Sequence, residues 1–183
     1  MVFAHDTEVA LTAAAELVNS DAAPDELPDI QALDAFLTKW GWSGRRDHTE
    51  AELQQVHALR PRLRRFWESD RDVVVELANE LLREFQALPQ LVKHDEWDYH
   101  LHATDQNAPL PARMAVEAAM AMVDVVRGGE LDRLRICSAA DCQDVVVDLS
   151  KNRSKRFCES GCGNRLAAAA YRSRRSTVGP KGT

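Results

Sequence analysis

No stretch of this 183-residue sequence stays apolar for the roughly 20 residues that a membrane-spanning helix needs. The alanine-rich run Leu166 to Tyr171 is typical of what it offers. The opening residues, Met1-Val2-Phe3-Ala4-His5-Asp6, lack the basic n-region of a secretory signal and turn acidic at once. Both absences lead us to expect a cytoplasmic chain. A glycine-rich phosphate loop, an HExxH pair and any nucleophile motif are also missing. The isolated Asp and Glu residues sit where exposed helix faces need charge, so we do not expect an enzyme. Cysteine is absent before position 137 and after 162, and all four cysteines fall within those 26 residues.

What is present is the composition of a globular chain, 45% hydrophobic and 28% charged, long enough for one domain and a small appended module. The net charge of -6 hides an asymmetry. The stretch 150–183 holds nine Lys or Arg and one acid, Glu159, for a net +8, so the other 149 residues carry -14. An acidic body with a basic tail points to an anionic partner for the tail, the alternative being a solvated basic terminus.

Most of the first 127 residues have helical periodicity. Leu11, Ala14, Ala15 and Val18 share one face. Ile30, Leu33, Leu37 and Trp40 form a second stripe ending at Gly41. A third helix starts at Thr49 and aligns Leu53, Val56, Leu63 and Trp67, with Pro61 expected to kink or split it. Ser69 and Asp72 resemble a capping box for a fourth, whose apolar side is Val74, Leu77, Ala78, Leu81 and Phe85. Between Leu91 and Ala103 the period changes to two, with Trp97, Tyr99 and Leu101 alternating with Asp98, His100 and His102, as in a strand pair. Pro111 suits the first turn of a further helix carrying Met114, Ala118, Met122 and Val125, stopped by Arg127-Gly128-Gly129. Glu130 to Ile136 then reads as a linker.

The cysteines are spaced C-x4-C, fifteen residues, C-x3-C. Two short-spaced pairs are what a tetrahedral structural zinc ion takes, so Cys137, Cys142, Cys158 and Cys162 are expected to hold one Zn²⁺. Two disulfides are the alternative, disfavoured in a reducing cytosol. Four thiolates leave no open coordination position, which excludes a catalytic role for the metal. Within the fifteen residues, Val145, Val147 and Leu149 suggest one arm of a hairpin, Ser150 to Ser154 its turn, and Lys155-Arg156-Phe157 the return. With a helix beginning at Cys162, knuckle, hairpin and helix describe a treble-clef finger. Arg156 and Arg165 are placed to offset the -2 charge of a four-thiolate zinc.

These residues carry a resemblance. Cys137 to Cys142, Val145 to Ser150, Arg156-Phe157-Cys158, Cys162-Gly163-Asn164-Arg165 and the trailing Arg172, Arg174 and Arg175 resemble the CGNR zinc-finger family. Leu17-Val18-Asn19, the Leu37 to Trp42 helix end and the Arg113 to Arg135 approach resemble its N-terminal ABATE domain. Phe157 stands where that family often has tryptophan. The resemblance implies a stress-responsive transcription regulator.

The expected fold is thus α+β: a mostly helical body with a short β-hairpin over 1–130, the finger and its basic helix over 131–176, and a flexible tail over 177–183. Arg165, Arg172 and Arg175 share one face of the last helix, while Leu166, Ala169, Ala170 and Ser173 are expected to pack on the finger. With Lys151, Arg153 and Lys155 from the turn, those arginines are the candidate nucleic-acid contacts, and DNA is the expected partner. A zinc-stapled protein-docking or RNA-binding module is the competing reading. His100 and His102, two apart on a strand, point to one side. With Trp97 they are candidates to line an effector cavity, such as one for a small anion. The Arg60 to Arg65 cluster reads as the wet side of the third helix, and the four tryptophans as core or pocket lining.

Overall fold

The computed structural model describes residues 2–93 and 98–177, with side chains as far as Arg174. The chain order is α1 (His5–Asn19), α2 (Ile30–Lys39), α3 (Glu50–Glu68), α4 (Arg71–Glu84), β1 (Gln90–Val92), β2 (His100–His102), α5 (Leu110–Gly128), β3 (Leu134–Ile136), β4 (Val145–Val147) and α6 (Cys162–Thr177). It is a mostly helical α+β fold with two small antiparallel sheets, β1-β2 and β3-β4. Among the described residues, no helix is long and apolar enough to cross a membrane.

Helix ends follow local chemistry. Asp29 caps α2 by accepting from Ala32 N, and Thr49 caps α3 by accepting from Glu52 N. Glu52 reaches back to the amides of Asp47 and His48, both at 3.1 Å, which explains its burial. The cap of α4 is Asp70, bonded to Val73 N, while the expected Ser69 instead ends α3. Pro61 does not split α3. Its ring is exposed, while Leu59 and Leu63 on either side are buried and hold both halves to the core.

Helix α5 is the centre of the body, packed against α1, α3 and α4. The expected stripe Met114, Ala118, Met122 and Val125 is buried, and so are Ala115, Val116, Ala119 and Ala121 around it. A helix apolar on most sides belongs inside, and its alanines allow close approach by its neighbours. Arg60 corrects the reading of the 60–65 cluster. It is 3% exposed and forks onto Asp25, with both bonds at 2.9 Å. Arg62 pairs with Glu84, and Arg64 donates to the Gln143 carbonyl.

The second sheet ties the cysteine region to this body. β4 pairs with β3 in the register Leu134↔Val147, Arg135↔Val146, Ile136↔Val145. The expected linker is therefore a strand, and β4 turns back on residues before the first cysteine, not on Lys155 to Phe157. Val145 and Val147 enter the core of the body, whereas Val146 packs with Cys137, Ala139 and Cys162. One three-residue strand is thus buried on both faces. Side chains of the body also bond its backbone. Asn19, at the end of α1, accepts from Val145 N at 2.7 Å and donates to Val145 O at 2.9 Å, and Trp67 Nε1 donates to Val146 O at 3.1 Å. Replacing Asn19 with Ala strips two bonds from buried backbone and should cost about 2 kcal/mol in a denaturant melt. Wild-type stability in that variant would mean that water takes over both groups.

Candidate metal centre

Cys137 follows β3 and ties its amide to Asp144 O at 2.8 Å; Cys142 closes the knuckle through its amide to Ala139 O at 3.1 Å. Ser138 N donates to Arg156 O at 2.8 Å, drawing in the segment that carries Cys158. Cys158 N in turn points at Cys137 Sγ, 3.5 Å away. Cys162 is the first residue of α6 and is 5% exposed. All four cysteines are free, and their Sγ atoms lie within 4.8 Å of one another. The Cys142–Cys158 separation is 3.8 Å. A tetrahedron with Zn–S of about 2.3 Å has edges of about 3.8 Å, whereas a disulfide needs about 2.05 Å. The donor set and its spacing fit one structural zinc ion and exclude two preformed disulfides.

Burial pushes the Cys142 thiol up to about 11 and raises Cys158 as well, so without metal these sulfurs stay protonated at neutral pH. Zinc supplies the positive charge that lets them ionise. Arg165 supports the site from α6. It forks onto the Asp141 carboxylate, 2.8 Å from Nη2 to Oδ1, and Nη2 also lies 3.5 Å from Cys162 Sγ. That guanidinium holds Asp141 below the usual carboxylate range. Gly163 is closely packed: a Cβ there would lie 3.1 Å from the Phe157 ring, which would have to give by a few tenths of an ångström. Cys162, Gly163 and Arg165 thus act as ligand, close-packing position and charge partner.

Asp148 is the residue that sequence reasoning missed. Fully buried, it accepts from Ser150 N at 2.9 Å, Ser150 Oγ at 2.5 Å and Lys155 N at 2.9 Å, with Arg135 Nη1 at 3.8 Å. It folds the loop that brings Cys158 back to the knuckle. The Asp-x-Ser spacing, typical of a side chain that bonds the backbone two residues on, was the available signal.

The basic candidates divide. Arg153 pairs with Glu130 at 2.9 Å and Asp132 at 2.6 Å, Lys155 with Glu159 at 2.6 Å, and Arg165 with Asp141. Lys151 and Arg172 are exposed with no ion-pair partner among the described residues. The side chain of Arg175 and the tail from 178 lie outside the described residues. From Asn164 to Arg174 every residue of α6 is exposed. The expected packing of Leu166, Ala169, Ala170 and Ser173 on the finger is therefore not formed, because the finger's apolar surface is already taken up by Val146 and Phe157.

His100 and His102 do point to one side of β2, with their Nε2 atoms 2.9 Å apart. They line a cavity of about 140 Å³ between α1, α5, β2 and the turn after α2, together with Trp40 and Trp42. Trp67 is in the core, and Trp97 lies outside the described residues. Asp6, Glu117, Asp124 and Arg113 also line it, so acids outnumber the one arginine.

Four convergent thiols, a knuckle on a β-hairpin and a helix opened by the last ligand define a protein with a structural zinc finger at the end of a helical body. The family model described as "Putative stress-induced transcription regulator", ABATE, matches residues 11–129, and the CGNR zinc-finger model matches 133–175. The chain belongs to the ABATE family and carries a CGNR zinc finger behind that domain. No curated protein matches it.

Proposed function

We propose that this chain is a cytoplasmic DNA-binding transcription regulator, in which zinc fixes the root of α6 and the acidic body senses a small molecule. The observation that supports DNA binding most is α6 itself. It leaves the metal centre exposed on all sides, carries Arg165, Arg172, Arg174 and Arg175, and contains no acid. A helix this short gains little stability alone, so anchoring at Cys162 and Arg165 serves to hold an exposed, basic surface in place. The knuckle-hairpin-helix order supports the treble-clef assignment. For sensing, the support is α1, whose first turns line the cavity while Asn19 at its other end grips β4. One rigid element thus joins cavity and finger.

Arg165 is already engaged at the metal site, as are Arg153 and Lys155 with their own carboxylates, so the phosphate-contacting set is Lys151, Arg172 and Arg175. Each phosphate neutralised contributes about 0.9 to the slope of log affinity against log salt, so three give about -2.7. Changing Arg172 and Arg175 together to Ala should weaken duplex binding and flatten the slope by about 1.8, with zinc content unchanged. An unchanged slope and affinity would transfer α6 to the second reading, a protein-docking helix. That reading is favoured by Leu166 at 39% and Tyr171 at 55% exposure. Running the same titration with RNA separates the two nucleic acids.

A further inference from the structure

The cavity has a charge problem that the body leaves unsolved. Glu117 stands one turn after Arg113 on α5, the spacing at which a helix normally pairs opposite charges. Arg113 does not take that partner. Its Nε donates to Ala108 O at 3.1 Å, Nη2 to Arg45 O at 2.6 Å and Nη1 to Ser43 O. The guanidinium is thereby committed to the 43–45 loop. That loop lies so close that a side chain at Gly44, with φ +86°, would collide with Gln106 O at 2.6 Å.

Glu117 is left facing the cavity with no hydrogen-bond or ion-pair partner among the described residues. Burial pushes it up to about 7; Arg113 opposes this, and the negative charge of Asp6 adds to it. The other acids are already satisfied. Asp6 accepts from Thr7 N at 2.9 Å and Leu101 N at 3.3 Å, and Asp124 accepts from Thr7 Oγ1 at 2.6 Å.

The remaining lining narrows what could answer that carboxylate. A metal ion is disfavoured, because the only group of three or more converging ligands among the described residues is the cysteine cluster. His100 Nδ1 meets Asp98 O at 2.7 Å and must donate to it, and the Nε2 atoms of His100 and His102 share a hydrogen bond at 2.9 Å. The two imidazoles use those atoms on the protein. Trp40 and Trp42 supply aromatic wall, and Trp40 Nε1 is buried with no hydrogen-bond partner among the described residues. The volume of about 140 Å³ is close to that of cavities that hold one benzene.

We propose that this cavity binds a small organic cation, a primary amine with a compact apolar body, whose ammonium group pairs with Glu117 while its body lies among Trp40, Trp42 and the alanines of α1. Aromatic faces favour cations, and a desolvated carboxylate is a strong partner for one. The proposal deepens the sensory reading of the body and does not depend on α6 binding DNA.

The test uses the full zinc-loaded chain and calorimetric titration with benzylamine, benzyl alcohol and benzoate, which share a ring and differ in charge. Benzylamine should bind about tenfold tighter than benzyl alcohol, and benzoate should not bind. Glu117→Gln keeps the shape, removes the charge and should erase the preference for the amine. It should also melt higher than wild type without ligand, because an unpaired, half-buried carboxylate is gone. Equal binding of amine and alcohol, no binding of benzylamine, or undiminished amine binding by the variant would each overturn the proposal. The wild-type comparison stands even if the variant does not fold. Amine binding without a DNA salt slope would defeat only the nucleic-acid reading, and the converse would defeat only this one.

Discussion

Stripping zinc from the intact chain should lower the stability of the helical body together with the finger, in one transition. β4 links the two. Val146 rests on Cys137 and Cys162, while Val145 and Val147 on the same strand complete the core built by α1, α3 and α5. A loosened knuckle cannot be confined to residues after 136, because its hairpin is also a wall of the body. Structural zinc contributes on the order of 10 kcal/mol to the folding of isolated finger peptides. If half of that reaches the shared core, Cys137→Ser or a strong chelator should cost about 5 kcal/mol, or roughly 10–20 °C in Tm. Elemental analysis verifies the metal loss; far-UV dichroism and tryptophan fluorescence follow the melt. Coincident, lowered transitions are expected. A body transition at the wild-type temperature, with only the helical signal of α6 lost, would establish the finger as an autonomous module instead.

The second large effect is expected at Asp148. Its carboxylate, 0% exposed, organises the loop between β4 and Cys158. Asp148→Ala removes the acceptor of two backbone amides and one hydroxyl, and leaves Arg135 without that carboxylate. Deleting one member of a buried, charge-assisted network costs about 3–5 kcal/mol. The same group gives the finger an acid limit. Burial alone would raise the Asp148 pKa; the Ser150 and Lys155 bonds, with Arg135, outweigh it and hold it below the ordinary value. A carboxylate with a lowered folded pKa contributes its full stability above the unfolded value, near 4. That contribution disappears as pH falls through the folded value. The wild-type denaturation midpoint should therefore fall on acidification below about pH 4, and Asp148→Asn should lose that part of the dependence. A variant melting within about 1 kcal/mol of wild type would show that the loop is held by the zinc ligands alone.

The zinc set was fully legible in the sequence. Short-spaced cysteine pairs have few other uses in a chain without disulfides, and ligand identity depends on spacing more than on context. Helix existence was legible for a similar reason. The stripes Leu53-Val56-Leu63-Trp67 and Val74-Leu77-Ala78-Leu81 record a local period that tertiary packing then uses as it stands. The β1-β2 pair was also foreseen, since His100 and His102 alternate with residues that remain exposed, Tyr99 and Leu101. The family resemblance extended to Leu17-Val18-Asn19, but only the fold gives Asn19 a physical task, gripping Val145 126 positions away.

What the tertiary structure alone decided is where charge and apolar surface finish. Spacing cannot say that Arg60 is buried on Asp25 while Arg62, two residues on, pairs at the surface, because a helix face becomes wet or dry only when its neighbours arrive. Nor could it say that Arg153, Lys155 and Arg165 meet this chain's own carboxylates, since those ion pairs join residues that loop geometry brings together. The strand period set Val145 and Val147 apart from Val146 but could not say which side meets the body; two went to the body and one to the metal centre because β3 set the register. Sequence by itself determined the ligands, the helices and the order of the two family regions. Packing decided that finger and body share a strand, and that Arg113 turns to the 43–45 loop while Glu117 faces a cavity.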